Sequence, residues 1–328
     1  MRVLLPHRPG GAFSFISDGW LNAFIAAGHQ AQRWDGKQSS WNIFDPDLII
    51  ACSGHRQPIP APRGRTKLAV HVNPYGPEKI KGIDEPQEAI NWTLAQRPDA
   101  VFGYGHKDDG RFWEYWTSKH GIPWVPMATA GDATVFYSRQ GLTNAPVPRD
   151  IPIGYVGGRW DYKAKNLDRY LFPLFSNKTL GCKVHGWGGW QPGISSGVIR
   201  DEDVAGFFSR CRVCPCVAEP HTTQWGIDLP ERAFKVILCG ALAVHDPIKG
   251  LERFSPNIVM ANGPMEFIEL CVKWSRPEME PQRQELARRQ RRDILDGHTY
   301  FHRLAGLLRT VGFVGEADKM LEHAKSII

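Results

Sequence analysis

Asp228–Asp246, DLPERAFKVILCGALAVHD, is the stretch on which the reading of the whole chain turns. A polar, proline-marked turn leads into a helix-like segment that stops at Gly240 and resumes as a short apolar strand ending at Asp246. Asp228, Leu229, Pro230, Glu231 and Arg232 would sit at the start of that helix. Unpaired backbone N–H groups and a cation would then share one place, an arrangement suited to a diphosphate or to sugar hydroxyls. The same pattern is also an ordinary helix-turn-strand unit of an α/β domain. The surrounding chain has to decide between them.

Working downstream, the Asn262-Gly263 turn precedes a helix over Pro264–Trp274. The arginine-rich PQRQELARRQRRDIL follows, and two amphipathic helices close the chain, HTYFHRLAGLLRTV and EADKMLEHAKSII. The run Arg283, Arg288, Arg289, Arg291 and Arg292 reads as a solvated helix face, with a phosphate-tracking patch as the alternative. Upstream lies RVCPCVA, a buried strand. Its Cys211, Cys214 and Cys216, with His221 beyond, have the opening spacing of a zinc site, but no second ligand pair follows. Asp201–Phe208 reads as an acidic-capped helix.

Further upstream, IGYVGGRW is a strand running into a glycine turn, KAKNLDRYLFPLF a helix, and CKVHGWGGW a second strand ending in glycine. The loop GGRWDYKAK places Gly157 and Gly158 before Arg159, Lys163 and Lys165 at a helix start. Glycine N–H groups and fixed cations are what a diphosphate requires. Cations there oppose the helix dipole unless an anion lies between them. Thr143–Pro152, with three prolines and no apolar period, reads as an interdomain linker.

The N-terminal part repeats the design. A strand over Val3–Pro6, the loop PHRPGGAFSF and a helix over Asp18–Ala27 form the first unit of a nucleotide-binding α/β sheet. Further strands are expected at Leu48–Ala51, Leu68–Val72, Ala100–Phe102 and Pro123–Pro126, and a helix over Asp109–His120. His55, His71, Asn73 and His106 fall at strand ends, the side on which open α/β sheets bind ligands.

At 328 residues, 42% hydrophobic and 23% charged, the chain suggests two domains, each able to bury a core. No apolar run approaches the roughly 20 residues of a membrane span. The first residues read as a buried strand rather than a signal peptide. Seven cysteines, an odd number spread through apolar segments, suggest reduced thiols and a cytoplasmic setting. The net charge of +6 permits a polyanionic partner without demanding one. Hydrolase elbow, Walker A, His-Glu-x-x-His and full dinucleotide fingerprints are missing from the sequence.

With these pieces in order, the chain resembles glycosyltransferases of the GT-B fold, in the group 1 family and its spore-maturation-type branch. PHRPGG with AAGHQ, VPMATAGDATVFYS, YVGGRWDYKAK and LPERAFKVILCGALAVHD carry the resemblance. It implies two Rossmann-like domains with a donor/acceptor cleft between them. Residues 1–146 would form the acceptor side and 147–328 the nucleotide-sugar side, with the last helices free to pack back on the N-terminal domain.

The resemblance further implies that Gly10, Gly11, Gly157 and Gly158 approach the donor. Arg159, Arg232 and Lys163 or Lys165 would stabilise the departing diphosphate, with His185, Gly186, Trp187, Asp228, Leu229, Pro230 and Glu231 in the donor site. The expected reaction moves a sugar from a nucleotide donor, a UDP-sugar, to an acceptor, without a metal or other cofactor and leaning to retention. Two alternatives stay open: a hydroxymethylated base in DNA as acceptor, or a non-catalytic sugar-nucleotide binding protein. One position departs from the family: Lys235 stands where a ribose-binding glutamate is usual.

Overall fold

The computed structural model describes the chain except residues 7–11, 36, 57, 60–63, 73–85, 106–112, 138–147, 226–228 and 328. The chain divides into two compact units, Met1–Thr134 with Thr299–Ile328, and Val135–His298.

The first unit is built on β1 (Arg2–Leu5), β2 (Gln30–Arg33), β3 (Leu48–Cys52), β4 (Lys67–His71), β5 (Ala100–Gly103) and β6 (Trp124–Pro126). They form one sheet in the order β2-β1-β3-β4-β5-β6, every pair parallel. The apolar LIIAC run of β3 is buried throughout, as a parallel strand covered on both faces must be. Helices α1 (Ala12–Ala26), α2 (Gln38–Phe44) and α3 (Gln87–Ala95) lie between strands. Edge strand β2, α2 and α3 were not foreseen. QAQR is too polar to read as a strand, and it sits half out of the sheet because it has one neighbour only. The helix expected over Asp109–His120 is, in its described part, a short wide-turned segment over Trp113–Ser118.

The second unit holds β7 (Ile151–Val156), β8 (Cys182–His185), β9 (Cys211–Cys216), β10 (Leu242–His245) and β11 (Val259–Met260). All pairs are again parallel, in the order β11-β10-β9-β7-β8. The chain leaves β7 for β8 on one side, then crosses to β9 on the other. The carboxyl ends of β7 and β9 therefore flank a topological switch point, the usual ligand crevice of an open α/β sheet. Its helices are α4 (Asp161–Tyr170), α5 (Phe172–Ser176), α6 (Val204–Arg210), α7 (Pro220–Trp225), α8 (Glu231–Leu238), α9 (Pro264–Ser275) and α10 (Glu280–Gly297). Ile151 and Pro152, expected in the linker, open β7 instead, where a proline at the start of a strand sacrifices little pairing.

Helix α8 ends as its sequence demands. Gly240 adopts φ +77°, its N–H reaches the Ile237 carbonyl at 2.9 Å, and the Ala241 N–H reaches that of Val236 at 3.2 Å. These two bonds are the Schellman closure, which needs a left-handed residue after the cap.

The chain then returns to the first unit through α11 (Tyr300–Thr310) and α12 (Val314–Ile327). A Cβ on Gly19 would strike the Tyr300 ring, so that helix-interior glycine lets α1 pack closely against α11. The Tyr300 N–H bonds the Gly131 carbonyl at 3.1 Å and Arg303 the Ala128 carbonyl at 3.1 Å, tying these last helices in. The split falls after Thr134, where the sequence reading drew the boundary after residue 146, and Thr299–Ile328 group with the first unit.

Candidate donor site in the second unit

At the carboxyl ends of β7, β9 and β10, polar side chains replace the apolar ones of the strands. Tyr155 comes from β7, and His245 ends β10, followed by Asp246. Glu219 lies in the turn after β9, and Lys163 and Arg232 in the first turns of α4 and α8.

Arg232 Nε donates to the Val156 carbonyl at 2.6 Å, and its guanidinium lies 4.3 Å above the Tyr155 ring centroid. Its Nη1 is buried and finds no hydrogen-bond partner among the described residues; the same holds for Tyr155 Oη. A Cβ on Gly157 would run into this guanidinium, so glycine is what lets Arg232 lie against the end of β7. Burial pushes the Tyr155 hydroxyl up to about 12, with the Arg232 charge pulling the other way.

Lys163 is 5% exposed, and its ammonium donates to Glu219 Oε1 at 2.8 Å. Burial lowers the Lys163 pKa while Glu219 holds it up. Glu219 Oε2 is buried without a partner among the described residues. Both Asp246 oxygens accept the Ala218 N–H, at 3.1 and 3.2 Å, which fixes the turn carrying Glu219. Burial raises the Asp246 carboxyl to about 7. Burial and the nearby Arg232 charge depress His245 to about 3, so its ring is neutral at pH 7, with both nitrogens buried and unpartnered among the described residues. A cluster of buried groups with unused donors, centred on a guanidinium, is suited to receive an oxyanion.

The sequence-expected residues divide sharply around this cluster. Arg159 is committed elsewhere: Nε and Nη2 bind both Asp168 oxygens at 3.0 and 2.7 Å, and Nη1 the Gly189 carbonyl at 3.0 Å. Lys163 is ion-paired as above, and Lys165 is exposed on α4. Of the cations expected to meet the diphosphate at this helix start, Arg159 and Lys163 are thus paired with carboxylates nine and fifty-six residues on. Arg232 alone of the three expected catalytic cations keeps a buried arm without a partner among the described residues.

Gly157, Gly158, His185, Gly186 and Trp187 are brought together. The pairing of β7 with β8 continues past the strand ends, with the Gly157 N–H on the His185 carbonyl at 2.8 Å and the Arg159 N–H on the Trp187 carbonyl at 3.0 Å. A Cβ on Gly186 would collide with the Gly157 carbonyl. The Trp187 ring covers Gly158 while remaining 55% exposed, and His185 packs its ring on Phe207 at 5.0 Å. Leu229 is fully buried and Pro230 caps α8 through its backbone alone. Glu231 pairs with Lys235 at 2.7 Å one turn on, so Lys235 does not leave this helix face without a carboxylate. Gly10, Gly11 and Asp228, with Asn73 and His106, lie outside the described residues.

Tyr155, Glu219, His245 and Asp246 were missed as site residues. Their one signal in the sequence is position: each stands at or just beyond the end of a buried apolar run. Cys211, Cys214 and Cys216 are buried along β9, and Cys211 donates to the Phe207 carbonyl at 3.2 Å. Burial pushes Cys216 up to about 12. Among the described residues no group of three or more His, Cys, Asp or Glu is placed to hold a metal. No helix among them is long and apolar enough to cross a membrane.

Residues 163–309 match the family model described as "Glycosyl transferase-like". No curated protein matches the sequence. Among solved structures, T4 phage BGT in complex with UDP-glucose superposes with a TM-score of 0.59 at 12% identity, covering 97% of this chain and 100% of that one. An alpha-glucosyltransferase in complex with UDP-glucose and DNA containing an abasic site gives 0.64 at 9%, covering 95% and 99%. HepE from Anabaena, in complex with UDP and glucose, gives 0.54 at 12%, covering 99% and 100%. The fold is that of the GT-B glycosyltransferases, two Rossmann-like units on parallel sheets. The family match spans less than half of the 328 residues, and the likeness to these solved structures is one of fold.

Proposed function

We propose that the chain transfers a sugar from a UDP-activated donor whose diphosphate rests on the second unit, at the ends of β7, β9 and β10. The observation that carries this reading is Arg232, held against Gly157 with one buried guanidinium nitrogen unpartnered among the described residues. The family match over 163–309 spans this cluster from Lys163 onward, and the three structural neighbours were each solved with UDP or UDP-glucose.

In the transfer, the bond from the anomeric carbon to the diphosphate oxygen breaks and its electron pair leaves with UDP. The acceptor hydroxyl forms the new bond, and its proton passes to the departing diphosphate. Arg232 Nη1, assisted by the Tyr155 hydroxyl, meets the charge developing on the leaving oxygen. Removing one such preorganised donor costs about 10²–10³ in rate. Lys163, balanced by Glu219, fixes the turn beside it rather than supplying net charge. Trp187 offers an exposed ring for stacking on the nucleotide. The proposal includes metal independence and retention at the anomeric carbon.

A second reading concerns the acceptor, a hydroxymethylated base in DNA. It is favoured by the structural neighbour bound to DNA. Such binding falls steeply with salt as counterions are released.

The test is a panel of UDP-, GDP- and ADP-sugars assayed for transfer and hydrolysis, with and without EDTA. Thermal shift by the matching diphosphates runs beside it, since a bound ligand raises stability by mass action. Turnover with a UDP-sugar in EDTA, and a shift by UDP that Arg232→Gln removes, are expected. A GDP- or ADP-sugar preference, or loss of activity in EDTA, overturns the corresponding part. Coupling constants of the product's anomeric proton read the stereochemistry.

A further inference from the structure

The other end of α8 holds a second concentration of positive charge. At Gly240, just past its last turn, two guanidinium groups converge: a Cβ there would overlap Arg291 and lie 2.7 Å from Arg149 Nη2. Arg149 has its own partners, the carbonyls of Cys211 at 2.8 Å and Cys239 at 3.4 Å, as expected of a cation at a helix C-terminus. Arg291 does not. It is 7% exposed, its Nε is buried, and none of the described residues gives it a hydrogen bond or an ion pair. Arg212 and Arg283 stand close by. Arg212 is spent on the carbonyls of Arg149 and Ser275, and Arg283 pairs with Glu280. Among the described residues, Glu280 is the one carboxylate paired with these four arginines.

Two guanidinium groups side by side in a buried place repel each other, and taking a charge out of water without a partner costs several kcal/mol. Burial first, and then the neighbouring Arg149, lower the Arg291 pKa, in keeping with an uncompensated cation. A planar, five-donor fork in that state is matched by the oxygens of a phosphate group. α8 has eight residues, so about 12 Å of helix separates this point from Arg232. The arginine-rich helix α10 thereby takes on a role different from a free basic stripe. Arg283 and Arg291 point inward, while Arg288 and Arg289 share Glu285 at 2.5 and 2.9 Å.

We propose that Arg291 and Arg149, at the C-terminal end of α8, form a second oxyanion site that binds a phosphate group independently of the donor site. The phosphate comes either from solution, as free phosphate, or from a nucleic-acid backbone.

The experiment is thermal shift and calorimetry with sodium phosphate against sodium chloride at matched ionic strength, on the full chain. Arg232→Gln removes the donor cluster as a source of phosphate binding. In that background phosphate still stabilises the protein, and adding Arg291→Gln weakens its affinity by about tenfold or more, the loss expected for a charge-assisted bond. Arg291→Lys, which keeps the charge, guards against a folding defect and retains part of the shift. UDP binding in the single Arg291→Gln variant stays unchanged. A second arm titrates a DNA duplex at two salt concentrations. A loss of duplex affinity in Arg291→Gln that matches the phosphate loss assigns the backbone as source, and unchanged duplex binding assigns free phosphate. No phosphate shift in the Arg232→Gln protein, or a shift that Arg291→Gln leaves intact, overturns the proposal. So does loss of UDP and phosphate binding together.

Discussion

The two units end their sheets in opposite ways. In the first, His71 closes β4 inside a cage of rings, with Phe13, Trp20, Phe102 and Tyr104 at 4.9–5.7 Å and Cys52 Sγ 3.8 Å from Nδ1. In the second, His245 closes β10 among Lys163, Glu219, Arg232 and Asp246. Both imidazoles are pressed to about 3 by burial, with His55 adding to the effect at the first and the permanent charge of Arg232 at the second. Aromatic filling of a strand end gains burial at little electrostatic cost. Buried ions lose hydration, and that loss is repaid only by good partners or by a ligand. One parallel layer can thus end in a packed wall of rings in one unit and in a cluster of buried charges in the other. The fold is common to both; the chemistry is not.

The most severe way to break this contrast is to make the second strand end as uncharged as the first. Arg232→Gln removes the guanidinium that lies against Gly157, and transfer from a UDP-sugar should fall by about 10²–10³. Circular dichroism should show the fold retained, because neighbouring Tyr155 stays buried. A variant with native-like rates would leave Arg232 as packing only.

Next in size is the ion pair. Lys163→Met strands Glu219, whose side chain is 27% exposed, so the loss belongs at the lower end for a broken buried pair, about 2–3 kcal/mol. Lys163→Met with Glu219→Gln should recover much of it, as two neutral groups need no mutual compensation. Urea unfolding of the four proteins in the cycle measures the coupling. No coupling between the two sites would mean the pair is not formed in solution.

These residues also mark how far the chain could be read before its fold was seen. The LIIAC and KLAVH runs are legible as strands because parallel strands buried on both faces are continuously apolar. Gly240 is legible as a helix stop because few other residues adopt its φ. The polar edge strand QAQR is not, since one-sided pairing imposes no pattern on its side chains. In the site, glycines and cations announce themselves by type and spacing. Their partners do not: Asp168 takes Arg159 from the far end of α4, and Glu219 reaches Lys163 only because β9 lies beside β7. The pairing of Glu231 with Lys235 is different, for an i, i+4 spacing within a helix is visible in one dimension.

A smaller effect separates the titrating groups of the second unit. Asp246 has a folded pKa of about 7 against 3.8, so its contribution to stability is present at low pH and lost as pH rises toward 7. His245, at about 3 against 6.5, contributes stability above 6.5 that is lost as pH falls. Between about pH 4 and 6.5 the two slopes oppose each other. Asp246→Asn keeps an acceptor for the Ala218 N–H and removes one slope. Its stability should therefore climb with pH there, by up to about 1.4 kcal/mol per unit relative to the parent. Denaturant midpoints across that window give the slope, and an unchanged profile would place Asp246 in contact with solvent.

The smallest expected effect lies in the aromatic cage. His71 is 4% exposed and neutral, and its Nε2 is buried without a partner among the described residues. His71→Phe removes that unsatisfied nitrogen and keeps a ring of similar shape, and volume-conserving core changes usually cost less than about 1.5 kcal/mol. Its stability should become flatter with falling pH, because the unfolded chain no longer gains a proton that the native ring refuses below pH 6.5. Transfer rates should stay near the parent's. A fall in rate comparable to that of Arg232→Gln would show that the first unit's strand end is also a chemical surface, and that the contrast drawn between the two sheets is wrong.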